Sequence, residues 1–280
     1  MKNQVIAIVG ATGKTGSRVV NRLEMLEHPT RPLSRGSNQP FDWSDRSTWG
    51  PALEGCHAVY LTYYPDLAVP QAEDDIGFFV EQAKVNGIRH IVLLSGRGEE
   101  GAQRAEQVVK DSGLDWNIVR ASWFMQNFSE SFMLDGLQAG ELVLPEPRAL
   151  EPFIDVDDIA DVVVAALTKN KLRNQLFEIT GPALLSFADC VNEIAAISKH
   201  DIGFTTLPVE TYLSAARAEG LPEDVAWLIK ELFVNVLDGR NAFVTNTVER
   251  VIGRPAKSFQ DYVKNIAQTG DVWAAVGQRS

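Results

Sequence analysis

The chain has 280 residues, of which 45% are hydrophobic and 22% charged, a composition that suits one large folded domain or one domain with a small appendage. Its 37 acidic and 26 basic side chains give a formal net charge of −11. Such a surface repels phosphate backbones and anionic lipid headgroups, so we expect neither a nucleic-acid partner nor a membrane partner.

The first half of the sequence alternates short apolar runs with amphipathic segments. Apolar runs without internal alternation, such as 91–94, are typical of a parallel sheet that helices cover on both faces. The fold class is therefore α/β, a Rossmann-type doubly wound parallel sheet. In chain order we predict a strand at 5–9, a helix at 15–27, strands at 31–35 and 58–62, a helix at 72–86, a strand at 90–95, a helix at 103–112 and a strand at 116–120.

The second half is less regular, with helices predicted at 122–137 and 159–167 and a strand at 176–180. Acidic side chains just before the second of these helices are assigned to capping its amino end: Asp155, Asp157 and Asp158. Two Ser–Asp pairs have the spacing of a helix capping box, Ser186 with Asp189 and Ser258 with Asp261. We predict one domain over 1–150 and a smaller, mixed α/β lobe over 151–280, interleaved with the first and not an independent domain.

The first predicted strand runs directly into Gly-Ala-Thr-Gly-Lys-Thr-Gly at residues 10–16, and a helix follows. Gly10 permits a tight turn, Gly13 lets the backbone approach a diphosphate, and Gly16 lets helix and strand pack closely. The amino end of the helix then directs N–H groups and a positive dipole at the phosphates. We predict a dinucleotide site to which neighbouring residues of the loop also contribute, namely Thr12, Lys14 and Thr15.

Two other interpretations of this loop are open. It is compatible with a tight strand–helix turn that binds nothing. It also has a superficial likeness to an ATP-binding P-loop, but the spacer before Gly13-Lys14 is wrong for one.

The choice between NAD and NADP depends on the end of the second strand. An NAD site carries Asp or Glu there for the ribose 2′-hydroxyl, whereas residues 31–37 read Arg-Pro-Leu-Ser-Arg-Gly-Ser. An arginine can bind a 2′-phosphate with a charge-assisted bond worth about 1.5–3 kcal/mol. We predict that NADP(H) is preferred over NAD(H), with Arg35 favoured over Arg31, unless both arginines are solvated loop charges.

Further stretches extend the glycine motif into a resemblance that covers nearly the whole chain. The stretches are Phe-Asp-Trp-Ser-Asp at 41–45, His-Ile-Val-Leu-Leu-Ser-Gly at 90–96, Ser-Gly-Leu-Asp-Trp-Asn-Ile-Val-Arg at 112–120, Ala-Ser-Trp-Phe-Met-Gln-Asn-Phe at 121–128, Phe-Ile-Asp-Val-Asp-Asp-Ile-Ala at 153–160 and Leu-Phe-Glu-Ile-Thr-Gly-Pro at 176–182. Together they resemble the NmrA-like branch of the atypical short-chain dehydrogenase/reductase family. The segment 104–124 is particularly similar to the ergot-alkaloid reductases of the festuclavine dehydrogenase type and their bacterial relatives. The resemblance implies that the domain over 1–150 binds NAD(P) and that the lobe over 151–280 binds the substrate.

The resemblance implies roles for particular residues. On the cofactor side it implies that Asp42 lies by the adenine, that the stretch from Thr62 passes the ribose and nicotinamide, and that Ser95 and Gly96 lie next to the nicotinamide. On the substrate side it implies a cavity lined by Trp123, Phe124 and Asn127 and closed by Phe153.

The sequence departs from the standard members of that family in one respect. They carry a Tyr-x-x-x-Lys pair whose lysine lowers the tyrosine pKa, whereas residues 96–106 contain no Tyr, Lys or His. An acceptor that is already electrophilic needs no strong acid, because proximity and orientation to the nicotinamide suffice. The catalytic residues therefore stay unassigned, with Tyr63, Tyr64 and Ser95 as weak candidates.

Two functions remain. The favoured one is an NAD(P)H-dependent oxidoreductase that reduces a small quinone, enone or iminium. The alternative is a non-catalytic NADP(H)-binding redox sensor that signals through a protein partner; a homo-oligomer is also left open. Two cysteines without a CxxC pattern suit the reducing cytoplasm, and four scattered histidines predict no metal site.

Overall fold

The computed structural model describes residues 4–270 and 272–274. The chain divides into two compact units. The first unit comprises Met1–Ala121, Val156–Ile179 and Thr247–Arg254, and the second comprises Ser122–Asp155, Thr180–Asn246 and Pro255–Ser280.

The strands are β1 (Val5–Val9), β2 (Thr30–Leu33), β3 (Cys56–Leu61), β4 (His90–Gly96), β5 (Asp115–Ala121), β6 (Glu141–Pro145), β7 (Gln175–Ile179) and β8 (Gly203–Leu207). The α-helices are α1 (Lys14–Met25), α2 (Trp49–Leu53), α3 (Ala72–Val85), α4 (Glu100–Lys110), α5 (Met133–Gln138), α6 (Val156–Thr168), α7 (Phe187–Ser198), α8 (Val209–Ala218), α9 (Glu223–Lys230), α10 (Thr247–Ile252) and α11 (Phe259–Thr269). A π-helical turn, Glu231–Val236, follows α9.

The first unit contains a six-stranded sheet in the order β2-β1-β3-β4-β5-β7, and every neighbouring pair is parallel. The inner strands are buried along nearly their whole length because helices cover both faces, which explains their uninterrupted apolar sequences. Helices α1 and α6 pack together, as do α3 and α4. The predicted Rossmann-type class is thus confirmed.

The second unit is built around a separate aromatic core. Strands β6 and β8 form a two-stranded parallel sheet, and helices α7 and α11 pack on each other. Phe128, Phe153 and Phe187 are buried at the centre of this core, with Phe259 and Tyr262 beside them. The capping box of Ser186 and Asp189 begins α7, and Ser258 caps α11 through the Asp261 amide, as predicted.

One prediction about the second half needs correction, and two strands were missed. Residues 122–137 are not one helix: Phe124 bridges to Ile154, a 3₁₀ turn spans Met125–Phe128, and only α5 is α-helical. Strands β6 and β8 were not predicted. The two observed units alternate along the chain: β7 pairs with β5 and α6 packs on α1, so 156–179 and 247–254 belong with the first unit.

Helix α6 begins at Val156, so of the three acidic residues predicted to precede this helix only Asp155 does so, and the other two have ion-pair partners. Asp157 pairs with Arg22 at 2.8 Å, and Asp158 pairs with Arg254 at 2.6 Å. These carboxylates lie in the first turn of α6, where they complement the helix dipole as well.

Both cysteines, Cys56 and Cys190, are buried free thiols. Within the described ranges, no cluster of three or more His, Cys, Asp or Glu side chains is arranged to hold a metal ion. None of the helices described is both long and apolar enough to cross a bilayer.

Candidate functional site

The glycine loop follows β1 at a point where the order of the strands reverses, since β2 lies on one side of β1 and β3 on the other. Open α/β sheets bind ligands at such a switch point, beyond the carboxyl ends of the strands. Gly10 has a φ of +75°, and a Cβ there would lie 2.3 Å from Thr62 Oγ1. A Cβ on Gly16 would lie 2.1 Å from the carbonyl oxygen of Gly10. Both positions therefore require glycine for the fold itself.

Gly13 has a different environment within the same loop. It is exposed, its φ of −79° suits any residue, and a Cβ would meet only the Gly10 oxygen, at 3.2 Å. Folding therefore explains this glycine poorly, whereas close approach of a ligand to the backbone explains it well.

The amide groups of the loop divide into two sets. The N–H groups of Gly10 and Ala11 donate to Leu33 O, and that of Gly13 donates to Gly10 O. The first hydrogen bond of α1 runs from Ser17 N–H to Gly13 O. The backbone amides of the helix residues before Ser17 therefore have no carbonyl partner within the helix. No acidic side chain lies in that turn. The amino end of α1 is consequently suited to hold an anion.

The side chains of the loop have distinct surroundings. Thr12 is exposed and Lys14 is half-buried. Thr15 is buried, and its hydroxyl accepts a hydrogen bond from Tyr60 Oη at 2.9 Å. Thr15 thus joins the start of α1 to β3. Its contact with a cofactor stays a prediction, and the main chain of Thr15, rather than its engaged hydroxyl, is the group expected to make that contact.

The end of β2 distinguishes the two arginines. The Arg31 guanidinium donates to the carbonyl oxygens of Ala52 and Glu54, at 3.1 and 2.5 Å. Arg35 is exposed and makes no hydrogen bond or ion pair with the residues described. Asp42 accepts hydrogen bonds from the Ser44 amide and hydroxyl, which, with the charge of Arg35, lower the pKa of its carboxyl.

At the end of β3, Thr62 donates to Val9 O at 3.1 Å and so joins the two strands beside the glycine loop. The Tyr63 hydroxyl donates to Asp75 Oδ2 at 2.6 Å, and Arg46 binds the same carboxylate. Burial and the neighbouring Asp75 raise the pKa of Tyr63. Tyr64 is 76% exposed. The Tyr63 hydroxyl is therefore a poor proton donor in this structure.

Ser95, at the end of β4, donates to Glu106 Oε1 at 2.7 Å. Glu106 is fully buried on α4 and also accepts two hydrogen bonds from Arg120, at 2.8 and 2.6 Å. Burial would raise the pKa of Glu106, but hydrogen bonds from Arg120 and Ser95, with the charges of Arg120 and Lys110, outweigh burial and lower it. The Ser95 hydroxyl is thus held by a carboxylate whose ionised form is favoured.

Gly96, next to Ser95, lies against another acid. A Cβ on Gly96 would lie 2.1–2.2 Å from the carboxyl atoms of Glu99, so the buried Glu99 side chain occupies the space over this glycine. The Glu99 carboxyl is also hydrogen-bonded to Asp66, and burial raises the pKa of Asp66.

Three buried acids near the strand ends were missed by sequence reasoning: Asp75, Glu99 and Glu106. For Glu106 a signal existed, because it shares a helix face with Ala102, Ala105 and Val109, and a charge on an apolar face needs a partner. The partner itself, on another strand, could not be inferred from spacing.

The predicted substrate residues all lie in the second unit. Trp123, Phe124 and Asn127 are half-buried. The Trp123 ring packs edge-on against Phe187, with centroids 5.5 Å apart. Phe153 is only 1% exposed and packs edge-on against Phe187 at 5.1 Å, so its observed role is in the core of the unit. Substrate contact by these residues stays a prediction.

Comparison with known proteins gives relatives that match along almost their whole length. The chain is 28% identical to prestalk A differentiation protein A of Dictyostelium discoideum, over 92% of this chain and 91% of that protein. It is 29% identical to an NAD(P)H azoreductase of Xenophilus azovorans, with 93% and 97% covered. It is 26% identical to the agroclavine dehydrogenase of Claviceps fusiformis, with 93% and 96% covered. No family model matches the chain.

Solved structures share the fold at low sequence identity. A nucleoside-diphosphate-sugar epimerase from Staphylococcus aureus superposes with a TM-score of 0.79 at 15% identity, covering 93% of this chain and 99% of that one. An NADPH-dependent quinone oxidoreductase from Escherichia coli, solved with NADPH, gives 0.78 at 19% identity with the same coverage. An epimerase and a reductase fit about equally well, so this likeness defines the fold and not the reaction.

The class of protein is now defined: a Rossmann-type α/β protein whose named homologues include oxidoreductases, as predicted. Within that class, the resemblance to the NmrA-like reductases and to the ergot-alkaloid branch is confirmed by the agroclavine dehydrogenase and by festuclavine synthases of Penicillium roqueforti.

Proposed function

We propose that the chain is an NADPH-dependent reductase of a small, electrophilic organic acceptor such as a quinone, enone or iminium. The observation that carries this proposal is the glycine loop at the switch point, which leads into a helix end whose amides suit an anion. When bound there, the cofactor would supply a hydride. The names of the azoreductase and the agroclavine dehydrogenase support the same class of reaction.

The protein's own residues would act by binding and orientation. The backbone around Gly13 would hold the diphosphate, and Asp42, Thr62 and Gly96 are the proposed neighbours of the remaining cofactor. Ser95 and Tyr63 already donate their hydroxyl protons to carboxylates, which argues against a carbonyl reduction that needs a strong acid. An acceptor that is electrophilic from the outset fits this arrangement better.

The preference for NADPH over NADH is proposed on the state of the two arginines. Arg31 is used by backbone carbonyls, whereas Arg35 remains available for a 2′-phosphate. Arg35→Ala should weaken NADPH binding roughly tenfold or more and leave NADH binding nearly unchanged. Arg89→Ala removes another exposed arginine and is the matched control. Equal losses for the two nucleotides would contradict the assignment.

Turnover is tested by mixing the purified chain with NADPH and a panel of quinones, enones, cyclic iminiums and azo compounds, and following the loss of the reduced-nicotinamide absorbance. We expect oxidation with at least one class. At NADPH concentrations below saturation, Gly13→Ala should slow it roughly tenfold or more, and Gly36→Ala, in an open loop with nothing near the added carbon, should not.

The hydrogen bonds that Ser95 and Tyr63 donate to carboxylates also favour a second function. A chain that binds NADPH without a free proton donor could act as a redox sensor with a protein partner, and one relative is named for differentiation rather than for an activity. Tight binding of NADPH with no oxidation by any acceptor would favour the sensor and contradict the reductase. For either function we propose a cytoplasmic location, supported by the two buried free thiols.

A further inference from the structure

A small cleft lies at the amino ends of strands of the main sheet, whereas the glycine loop lies at the carboxyl end of β1. Its lining comes from the amino ends of β1 and β3, the segment before β2, the end of α6 and the turn before β7. All of these belong to the first unit. Five polar residues line this cleft, which is called the anion cleft below: Gln4, His28, His57, Thr168 and Arg173.

Arg173 is the unusual member of the anion cleft. Its Nη1 is buried and has no hydrogen-bond partner among the residues described, and its Nη2 reaches only Asn170 Oδ1, at 3.5 Å. No described acid forms an ion pair with it, and burial lowers the pKa of its guanidinium. A buried N–H of a cation without an acceptor is costly, and in a chain of net charge −11 acids are plentiful elsewhere.

The other polar groups in the cleft point to the same kind of ligand. His57 and His28 both line it and both can donate N–H groups. Burial, followed by the positive charges of Arg173 and Arg89, lowers the pKa of His57, while Asp115 acts in the opposite sense. The charge of a nearby anion would act against these effects and favour the imidazolium.

We propose that the anion cleft binds a small oxyanion group, phosphate or carboxylate, through the Arg173 guanidinium with His57 and His28 as further donors. The planar fork of arginine matches the paired oxygens of both groups. The cleft is small, so it would take one such group rather than an extended ligand. This site is separate from the proposed nucleotide site and does not depend on it.

The four histidines of the chain make a direct test simple. Inorganic phosphate and acetate are titrated separately into the full chain labelled at its histidines, at constant ionic strength, and the imidazole NMR signals are followed. Assignment uses one His→Gln variant at a time. We expect saturable shifts of His57 and His28 and a rise in the pKa of His57, with His90 and His200 unchanged. The tighter of the two anions identifies the ligand class.

Substitutions at two arginines test which side chain binds the anion. Arg173→Gln should weaken binding about tenfold or more, whereas Arg89→Gln, which removes an exposed charge beside the cleft, should have less than about a twofold effect. If Arg173→Gln does not fold, Arg173→Lys keeps the charge but loses the fork and should also bind more weakly. Gly13→Ala should retain the full response, which separates this test from that of the nucleotide site.

The proposal is overturned if neither anion shifts the His57 and His28 signals saturably, or if chloride produces the same shifts. It is also overturned if a folded Arg173 variant binds as tightly as the natural chain.

Discussion

Gly13 and Gly16 lie in one loop but contact different neighbours. We therefore expect substitution of Gly16 to affect folding and substitution of Gly13 to affect binding of the cofactor. Gly16→Ala brings a carbon into the Gly10 backbone, so we expect a loss of about 1–3 kcal/mol or more in the free energy of unfolding. Gly13→Ala adds a carbon on the exposed side, so stability should fall by less than about 1 kcal/mol while NADPH affinity falls roughly tenfold or more. Urea unfolding and nucleotide titration measure the two effects.

Gly36→Ala serves as the control for both substitutions, since nothing lies within 4 Å of the added carbon. If Gly13→Ala bound NADPH as the natural chain does, the loop would be only a structural turn.

Glu106 gives a prediction about pH. Its pKa is lowered from 4.5 in the folded chain, so its ionised form contributes stability above about pH 4.5 and loses that contribution as the pH falls through the folded value. Glu106→Gln should cost roughly 1.5–3 kcal/mol near neutral pH, because Arg120 loses a charged acceptor. The difference between variant and natural chain should shrink on acidification below pH 4.5.

Urea unfolding across this pH range checks the Glu106 prediction, with the exposed Glu100 on the same helix, changed to Gln, as the control. A difference that stays constant as the pH falls would mean that the ionised form of Glu106 is not what stabilises the fold.

At the level of residues, the sequence predicted what depends on local backbone geometry and missed what depends on long-range pairing. The glycine loop follows from the strand before it and the helix after it. The engagement of Ser95 by Glu106, which removes a weak catalytic candidate from ready use, requires α4 to pack beside β4.

Among the helices, α7 begins with a complete capping box, in which Ser186 and Asp189 exchange hydrogen bonds. Ser186→Ala should lower the free energy of unfolding by about 0.5–2 kcal/mol, because the Asp189 amide loses its acceptor. Ser198→Ala removes a hydroxyl from the last turn of the same helix, where it donates to Ile194 O, and should matter less. Thermal unfolding of both variants compares them, and equal losses would argue against a capping contribution.

The success of element prediction followed the range of the interactions. Strand β1 was predicted at its observed bounds, because an apolar run before a glycine turn is a local signal. The stretch 122–137 has near-helical aromatic spacing, yet its backbone bonds to Ile154, with Met125 N–H donating to Ile154 O at 2.9 Å. Strands β6 and β8 pair across a long sequence separation. Because β8 is largely exposed, neither an alternating apolar pattern nor a buried apolar run identifies this strand in the sequence.

For the molecule as a whole, a ligand that binds only the folded state raises its stability. NADPH at about one hundred times its dissociation constant should add about 2.7 kcal/mol to the free energy of unfolding, seen as a higher melting temperature. At the same NADPH concentration, Gly13→Ala should lose about half of this gain or more, because its affinity is expected to fall tenfold or more, while Gly36→Ala keeps it. An unchanged melting temperature in the presence of NADPH would contradict the proposed cofactor.

The first unit is completed by two late segments of the chain, 156–179 and 247–254. During synthesis on the ribosome, β5 therefore emerges with one edge open, and it gains its neighbour only when β7 has been translated. Helix α10, which packs on α6 and β7, arrives later still. A nascent chain that stops before residue 179 thus carries an unfinished sheet, and the open edge of β5 is where such incomplete products would aggregate.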